Sequence, residues 1–137
     1  MPHDATRVAD TRGWLRKAAG DLRGAEVDLA AKPPLGGDAA FHCQQATEKA
    51  LKALLTWHDT PFRKTHDLAE IGQQCANLDV SLEALCRRAE RLTVFAWIFR
   101  YPGDVQEPPV EEVAGALALA REIYDAVLAR VPAEAWP

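Results

Sequence analysis

The sequence lacks several features that would assign it at once to a class of protein. It has only three cysteines, none in a CxxC pair, and its net charge is −4 rather than positive. No apolar run approaches the ~20 residues that a membrane-spanning helix needs. We therefore do not expect a disulfide scaffold, a membrane span or a protein drawn to nucleic acid by overall charge.

The termini and the length favour a single cytoplasmic domain. The first ten residues are polar and lack the apolar centre of a signal peptide. A length of 137 residues is that of one domain, so residues 1–137 are treated as one unit. Cys43, Cys75 and Cys86 are expected to be buried thiols in a reducing compartment.

Motifs for common chemistries are also missing. No strand precedes a glycine-rich loop, there is no GxSxG elbow, and the four histidines show no HxxxH or HxxE spacing. These are His3, His42, His58 and His66. We expect no metal site and no cofactor.

Apolar residues recur at helical spacing along almost the whole chain. The pattern predicts an all-α, up-and-down bundle of four long helices with one short helix inserted. Asp38 is predicted to cap the second helix, and Asp67 with Glu70 to form a capping box at the short third helix. The predicted helices span about residues 5–31, 38–58, a short stretch after 67, 82–100 and 110–131.

The second predicted helix carries an ordered polar stripe opposite its apolar face, flanked by Glu48: His42, Gln45, Lys49, Lys52 and Thr56. Two ammonium groups one turn apart, with an amide donor beside them, suit a phosphate. The alternative is a solvated helix face with a Glu48–Lys52 ion pair. Residues 1–66 carry ten Lys/Arg against eight Asp/Glu, whereas residues 67–137 carry six against twelve, which places an anion site in the first half or at the junction.

The end of the fourth predicted helix, residues 94–99, is apolar all round. Such a segment is either covered by a second copy of the chain or central in the bundle. The first alternative predicts a homodimer interface formed by Val94, Trp97 and Ile98.

Arg100 follows this apolar segment, where an uncompensated charge would be costly. It is expected to contact a carboxylate, such as Asp104 or Glu107, or a ligand phosphate. Tyr101 could stack on a base or lie half-buried. His66, just before the third helix, could contact a phosphate or act as an acid or base, or its ring could bond a loop carbonyl.

Four groups of residues together resemble the HEPN domain family (higher eukaryotes and prokaryotes nucleotide-binding). The opening helix matches at Trp14-Leu15 and Asp21-Leu22. The segment Gln45 to Ala53 reads QATEKALKA, residues 65–68 read THDL, and residues 100–102 read RYP. Each motif is short, but they occur in the family's order along nearly the whole chain.

The resemblance implies a prokaryotic α-helical bundle, usually a homodimer, paired with a minimal nucleotidyltransferase in a toxin–antitoxin-like system. We expect a nucleotide- or RNA-phosphate-binding groove lined by Gln45, Lys49, Lys52, His66, Arg100 and Tyr101. Many HEPN proteins are metal-independent endoribonucleases that carry an Arg, four to six residues and then a His.

This chain departs from the ribonuclease pattern, because no histidine follows Arg100. The departure favours a nucleotide- or RNA-binding protein. One alternative is a divergent endoribonuclease in which His66 replaces the missing histidine and Arg100 stabilises phosphate charge. A further alternative is a ligand-free subunit of an assembly.

Overall fold

The computed structural model describes residues 2–103 and 106–137, in which helices joined by turns and loops are the regular structure and there is no strand. The prediction of an all-α fold is confirmed. Short 3₁₀ turns lie at Val80–Leu82, Glu90–Ala96 and Ala133–Ala135. The α-helices are α1 (Ala5–Ala30), α2 (Gly36–Trp57), α3 (Leu68–Leu78), α4 (Glu83–Ala89) and α5 (Val110–Leu128).

Helix α2 is the central element of the fold. It packs against α1, α3, α5 and the 3₁₀ segment Glu90–Ala96, and most of its side chains are buried. Small residues on its apolar side let the neighbouring helices approach closely: Ala39, Ala40, Cys43, Ala46, Ala50 and Ala53 are all fully buried. Because α2 is surrounded, its polar side chains also need partners inside the protein.

Helix α1 runs antiparallel to α2, as pairs of contacting residues show. Asp21 contacts His42 and Lys49, and Trp14 lies near Lys52. The buried positions of α1 recur at spacings of three and four and form its packing seam, which comprises Val8, Thr11, Leu15, Ala18, Leu22 and Ala25. The buried series continues onto Asp28, a charged residue, while Leu29 is only partly buried.

The start of α2 differs from the prediction. The helix begins at Gly36, Leu35 takes the N-cap position without a side-chain bond, and Asp38 lies in the first turn. The Gly37 amide instead donates to Glu107 Oε2 at 2.6 Å. A Cβ at Gly37 would lie 2.8 Å from Phe99 Cβ, so the close approach requires glycine here. The capping group comes from 70 residues away, which local spacing in the sequence does not reveal.

The segment predicted as the fourth helix forms an α-helix only in its first part. Only Glu83–Ala89 is α-helix, and Glu90–Ala96 continues as 3₁₀ helix. In 3₁₀ geometry residues three apart share a face, and Leu92 and Phe95 are the buried pair of this segment. The segment also accepts a hydrogen bond from the first residue of α3, because the Leu68 amide donates to Thr93 Oγ1 at 3.1 Å.

The three cysteines are confirmed as buried free thiols. Burial raises the pKa of Cys43 to about 12 and that of Cys86 to about 11, so neither is a reactive thiolate at neutral pH. Among the described helices, none is both long enough and apolar enough to cross a membrane.

Candidate functional site

Glu48 is the centre of a buried hydrogen-bond network on α2. Its side chain is 5% exposed. Gln44 Nε2 donates to Glu48 Oε1 at 3.1 Å and to the His66 carbonyl at 3.2 Å. Lys52 Nζ donates to Glu48 Oε2 at 3.0 Å. The network therefore joins α2 to the loop that carries the THDL motif.

His66 lies over this network, with its Nδ1 2.7 Å from Glu48 Oε1. Burial alone would raise the pKa of Glu48, but hydrogen bonds from His66, Lys52 and Gln44 outweigh it and hold that pKa below its usual value. Glu48 is thus an ionised acceptor, so His66 donates its Nδ1–H. The His66 side chain is 63% exposed, and its Nε2 is the nitrogen left for other partners. The expected ring bond to a loop carbonyl is replaced by this carboxylate.

Lys52 is buried rather than part of a surface stripe. Its ammonium group lies 5.5 Å from the ring centroids of both Trp14 and Phe62, which pack edge to face over it. The Glu48–Lys52 pair expected on a solvated face does form, but inside the protein. The sequence could not show this, because Phe62 reaches Lys52 from the loop after α2.

Gln45 and Lys49 are likewise engaged with protein groups. Gln45 is buried, and its Nε2 donates to Gln44 Oε1 at 2.7 Å. Lys49 Nζ donates to Asp21 Oδ2 on α1 at 2.7 Å. The prediction that the stripe is a surface feature is therefore wrong for Gln45 and Lys52, because α1 and the loop cover this side of α2. Their role in phosphate binding stays a prediction.

Arg100 lies over the ring of Phe41, with its guanidinium carbon 3.9 Å from the ring centroid. This is cation–π geometry, and it holds an exposed cation against α2. The predicted partner Glu107 bonds the Gly37 amide instead, and the other, Asp104, lies outside the described residues. Tyr101 is 74% exposed rather than half-buried.

His66 and Arg100 lie over the same side of α2. Their contact residues, Glu48 and Phe41, are seven positions apart, which is two helical turns, or about 10 Å along the axis. The structure thus places two exposed basic side chains from distant parts of the chain on one side of α2, and Tyr101 follows Arg100 in the sequence. We name His66, Arg100 and Tyr101 the basic surface.

A second polar cluster lies between the end of α1 and the start of α2. His42 Nδ1 is 2.9 Å from Asp21 Oδ1, and its Nε2 is 3.4 Å from Asp38 Oδ2 and 3.8 Å from Asp28 Oδ2. Burial, followed by the nearby Asp38 carboxyl, raises the pKa of Asp28 to about 6, although the charge of His42 acts in the opposite direction. These residue types could hold a metal ion.

Sequence reasoning missed this cluster, although one signal was present. Asp38 precedes His42 by four residues, which places both on one helix face. Asp28 belongs to another helix, so only the fold brings it close.

The residues predicted for a dimer interface differ in exposure. Trp97 is 51% exposed, while Val94 and Ile98 pack partly against the core. Phe95, in the same segment, is buried within the chain. The segment is therefore apolar on both an inner and an outer side, and the dimer itself stays a prediction.

These features define a helical bundle built on a buried, polar central helix with a small basic surface above it. The family model of the HEPN domain matches residues 11–131. The chain belongs to the HEPN domain family. Neither the search of curated proteins nor the search of solved structures gave a significant match.

Proposed function

We propose that this HEPN protein binds a nucleotide or an RNA phosphate at the basic surface, as the partner of a minimal nucleotidyltransferase in a toxin–antitoxin-like pair. One observation carries the proposal. A buried carboxylate, Glu48, orients the exposed imidazole of His66 on the same side of α2 as the exposed guanidinium of Arg100.

The chemistry of Arg100 and Tyr101 supports phosphate binding. Arg100 is always protonated and offers a planar fork of donors that fits phosphate oxygens. Phe41 holds it by its face and leaves the N–H groups at the edge available to a ligand. Tyr101 adds an exposed ring on which a base could stack.

The buried residues of the signature support the surface from below. Gln44 fixes the His66 backbone through its carbonyl, and Glu48 fixes the His66 ring. Lys52 balances the charge of Glu48. We therefore assign His66, Arg100 and Tyr101 to direct contact with the ligand, and Glu48 and Lys52 to positioning.

Binding of labelled single-stranded RNA in the presence of EDTA tests the proposal. Arg100→Ala and His66→Ala should each weaken binding, and the matched exposed variants Arg16→Ala and His58→Ala should not. Loss of one phosphate contact should also reduce the slope of log affinity against log salt by about 0.7. Equal affinity of the wild type and Arg100→Ala would reject the basic surface as the binding site.

A second candidate function is endoribonuclease activity, which the Glu48–His66 pair favours. A carboxylate that holds Nδ1–H leaves Nε2 positioned for proton transfer. Arg100 would stabilise the charge that develops on the phosphate. Metal-independent cleavage that is lost in both Arg100→Ala and His66→Ala would establish this function in place of simple binding.

The nucleotidyltransferase partner needs a separate test. A tagged minimal nucleotidyltransferase from the same genome, co-expressed with this chain, should co-purify with it at a fixed stoichiometry. If neither that enzyme nor RNA binds, the remaining alternative is a ligand-free assembly subunit.

A further inference from the structure

We propose that Asp28, Asp38 and His42 bind one divalent transition-metal ion, with Zn²⁺ the best fit, at the junction of α1 and α2. Asp21 holds the histidine in place from behind. This site is distinct from the basic surface and does not depend on the proposed function.

The histidine ring is oriented as a metal site requires. Because the carboxylate of Asp21 accepts a hydrogen bond, His42 donates its Nδ1–H to Oδ1 at 2.9 Å. Nε2 faces the Asp28 and Asp38 carboxylates, and it would become a ligand by releasing any proton it carries when the ion binds. A histidine that binds a metal usually donates its other ring N–H to a carboxylate in this way, which fixes the orientation of the ring.

The distances agree with tetrahedral coordination. Two ligand atoms at 2.0–2.2 Å from a tetrahedral zinc ion lie about 3.4 Å apart. His42 Nε2 is 3.4 Å from Asp38 Oδ2 and 3.8 Å from Asp28 Oδ2, and the three ligand atoms all lie within 4.8 Å of one another. Three protein ligands leave a fourth position for water.

Asp28 Oδ2 is a buried acceptor that needs a cation. Asp28 is 9% exposed, and among the described residues no donor bonds its Oδ2 atom. It occupies a core position of the α1 seam, in the last turn of the helix, where the helix dipole disfavours a carboxylate. A divalent ion between Asp28 and Asp38 would satisfy this oxygen and remove the repulsion between the two carboxylates.

The surroundings favour a cation with some affinity for nitrogen. Among the residues that the structure describes, the carboxylates of Asp21, Asp28 and Asp38 face His42. The ammonium group of Lys49 nearby is bound to Asp21. The imidazole favours Zn²⁺ over Mg²⁺ or Ca²⁺, which prefer all-oxygen sites. Asp38, with 59% of its side chain exposed, leaves the site open for ion entry.

Gly24 makes room for the histidine ring. A Cβ at this position would lie 3.0 Å from His42 Nε2 and 3.1 Å from its Cε1. Any side chain at residue 24 would therefore push the ring away from the two carboxylates. Gly24→Ala should weaken zinc binding without removing a ligand.

Calorimetric titration of EDTA-stripped, dialysed protein with ZnCl₂ tests the site. The expected result is one ion per chain, with binding lost in Asp38→Asn and His42→Gln and kept in the matched exposed variants Asp10→Asn and His58→Gln. MgCl₂ should bind far more weakly. Absence of saturable binding, or equal binding in all five proteins, would overturn the proposal.

Thermal unfolding separates loss of a ligand from loss of the fold. Zinc at a hundredfold excess over its Kd should raise the Tm of the wild type by about 5–10 °C. Asp28→Asn removes the poorly solvated charge, so it should melt above the wild type in EDTA yet gain nothing from zinc. An equal zinc-induced rise in Asp28→Asn and the wild type would also overturn the proposal.

Discussion

Glu48 Oε1 and His66 Nδ1 lie 2.7 Å apart, one nearly inaccessible to solvent and the other on a largely exposed ring. The contact joins the two most recognisable motifs of the chain, on α2 and in the loop before α3. The same carboxylate also accepts hydrogen bonds from Lys52 and Gln44. One buried charge thus connects the interior of the bundle to its basic surface.

Lys52→Met should destabilise the protein by about 2–4 kcal/mol, because it leaves the buried Glu48 charge with fewer partners. The double variant Glu48→Gln/Lys52→Met should recover a large part of that loss, since no buried charge remains. Urea unfolding of the single and double variants measures both values. If the double variant loses as much stability as Lys52→Met and Glu48→Gln lose together, the buried pair is not coupled as described.

Acid should remove the contribution of Glu48 to stability. Its pKa in the folded protein lies below the ordinary value of 4.5, so between these two values the unfolded chain binds more protons than the folded one. The contribution is present above about pH 4.5 and is lost as pH falls through the folded pKa. The difference in unfolding free energy between the wild type and Glu48→Gln should therefore be larger at pH 7 than at pH 3. A difference that is independent of pH would show that the charge of Glu48 is not what stabilises the fold.

Asp67→Ala should cost about 1 kcal/mol of stability, because Asp67 Oδ1 caps α3 by accepting the Ala69 amide at 3.0 Å. Glu70→Ala should cost less. Its carboxylate bonds the exposed Arg63 rather than completing the predicted capping box. Denaturant midpoints of the two variants provide the comparison, and a larger loss in Glu70→Ala would contradict this assignment.

If the outer side of the Glu90–Ala96 segment and its continuation form a homodimer interface, Trp97→Lys should convert the dimer into a folded monomer. Trp97 is 51% exposed in the single chain, so the substitution should leave the monomer core intact. Sedimentation of the wild type and the variant over a range of concentrations tests this. A wild type that remains monomeric at high concentration would exclude the interface.

The sequence predicted the fold better than the site. The sequence predicted the first helix at about residues 5–31, and α1 spans Ala5–Ala30. It also predicted the Asp67 cap, because both features depend on spacing within one helix. Helical spacing also separated a polar stripe from the apolar side of α2. It could not show that α1 and the loop after α2 cover much of the polar side and bury Lys52.

Contacts over long sequence distances account for the other differences. Glu107 caps α2 at Gly37, and Arg100 lies on Phe41. Asp28 reaches His42 only because α1 and α2 are antiparallel. None of these follows from spacing along a single element, because each depends on how separate segments meet in three dimensions.

The two polar clusters of α2 fix the rotation of this helix about its own axis. Up to Ala50 its buried apolar side consists of alanine and Cys43, and such small residues alone discriminate weakly between rotations of a helix. The contacts of His42 and Lys49 with Asp21 and of Glu48 with His66 allow only one rotation, since a shift of one residue turns the helix by about 100° and breaks them all. Loss of both clusters, in His42→Leu/Glu48→Leu, should therefore give doubled amide resonances in NMR spectra while the helix content is retained. This result would show that the polar contacts, rather than apolar packing, fix the rotation of α2 about its axis.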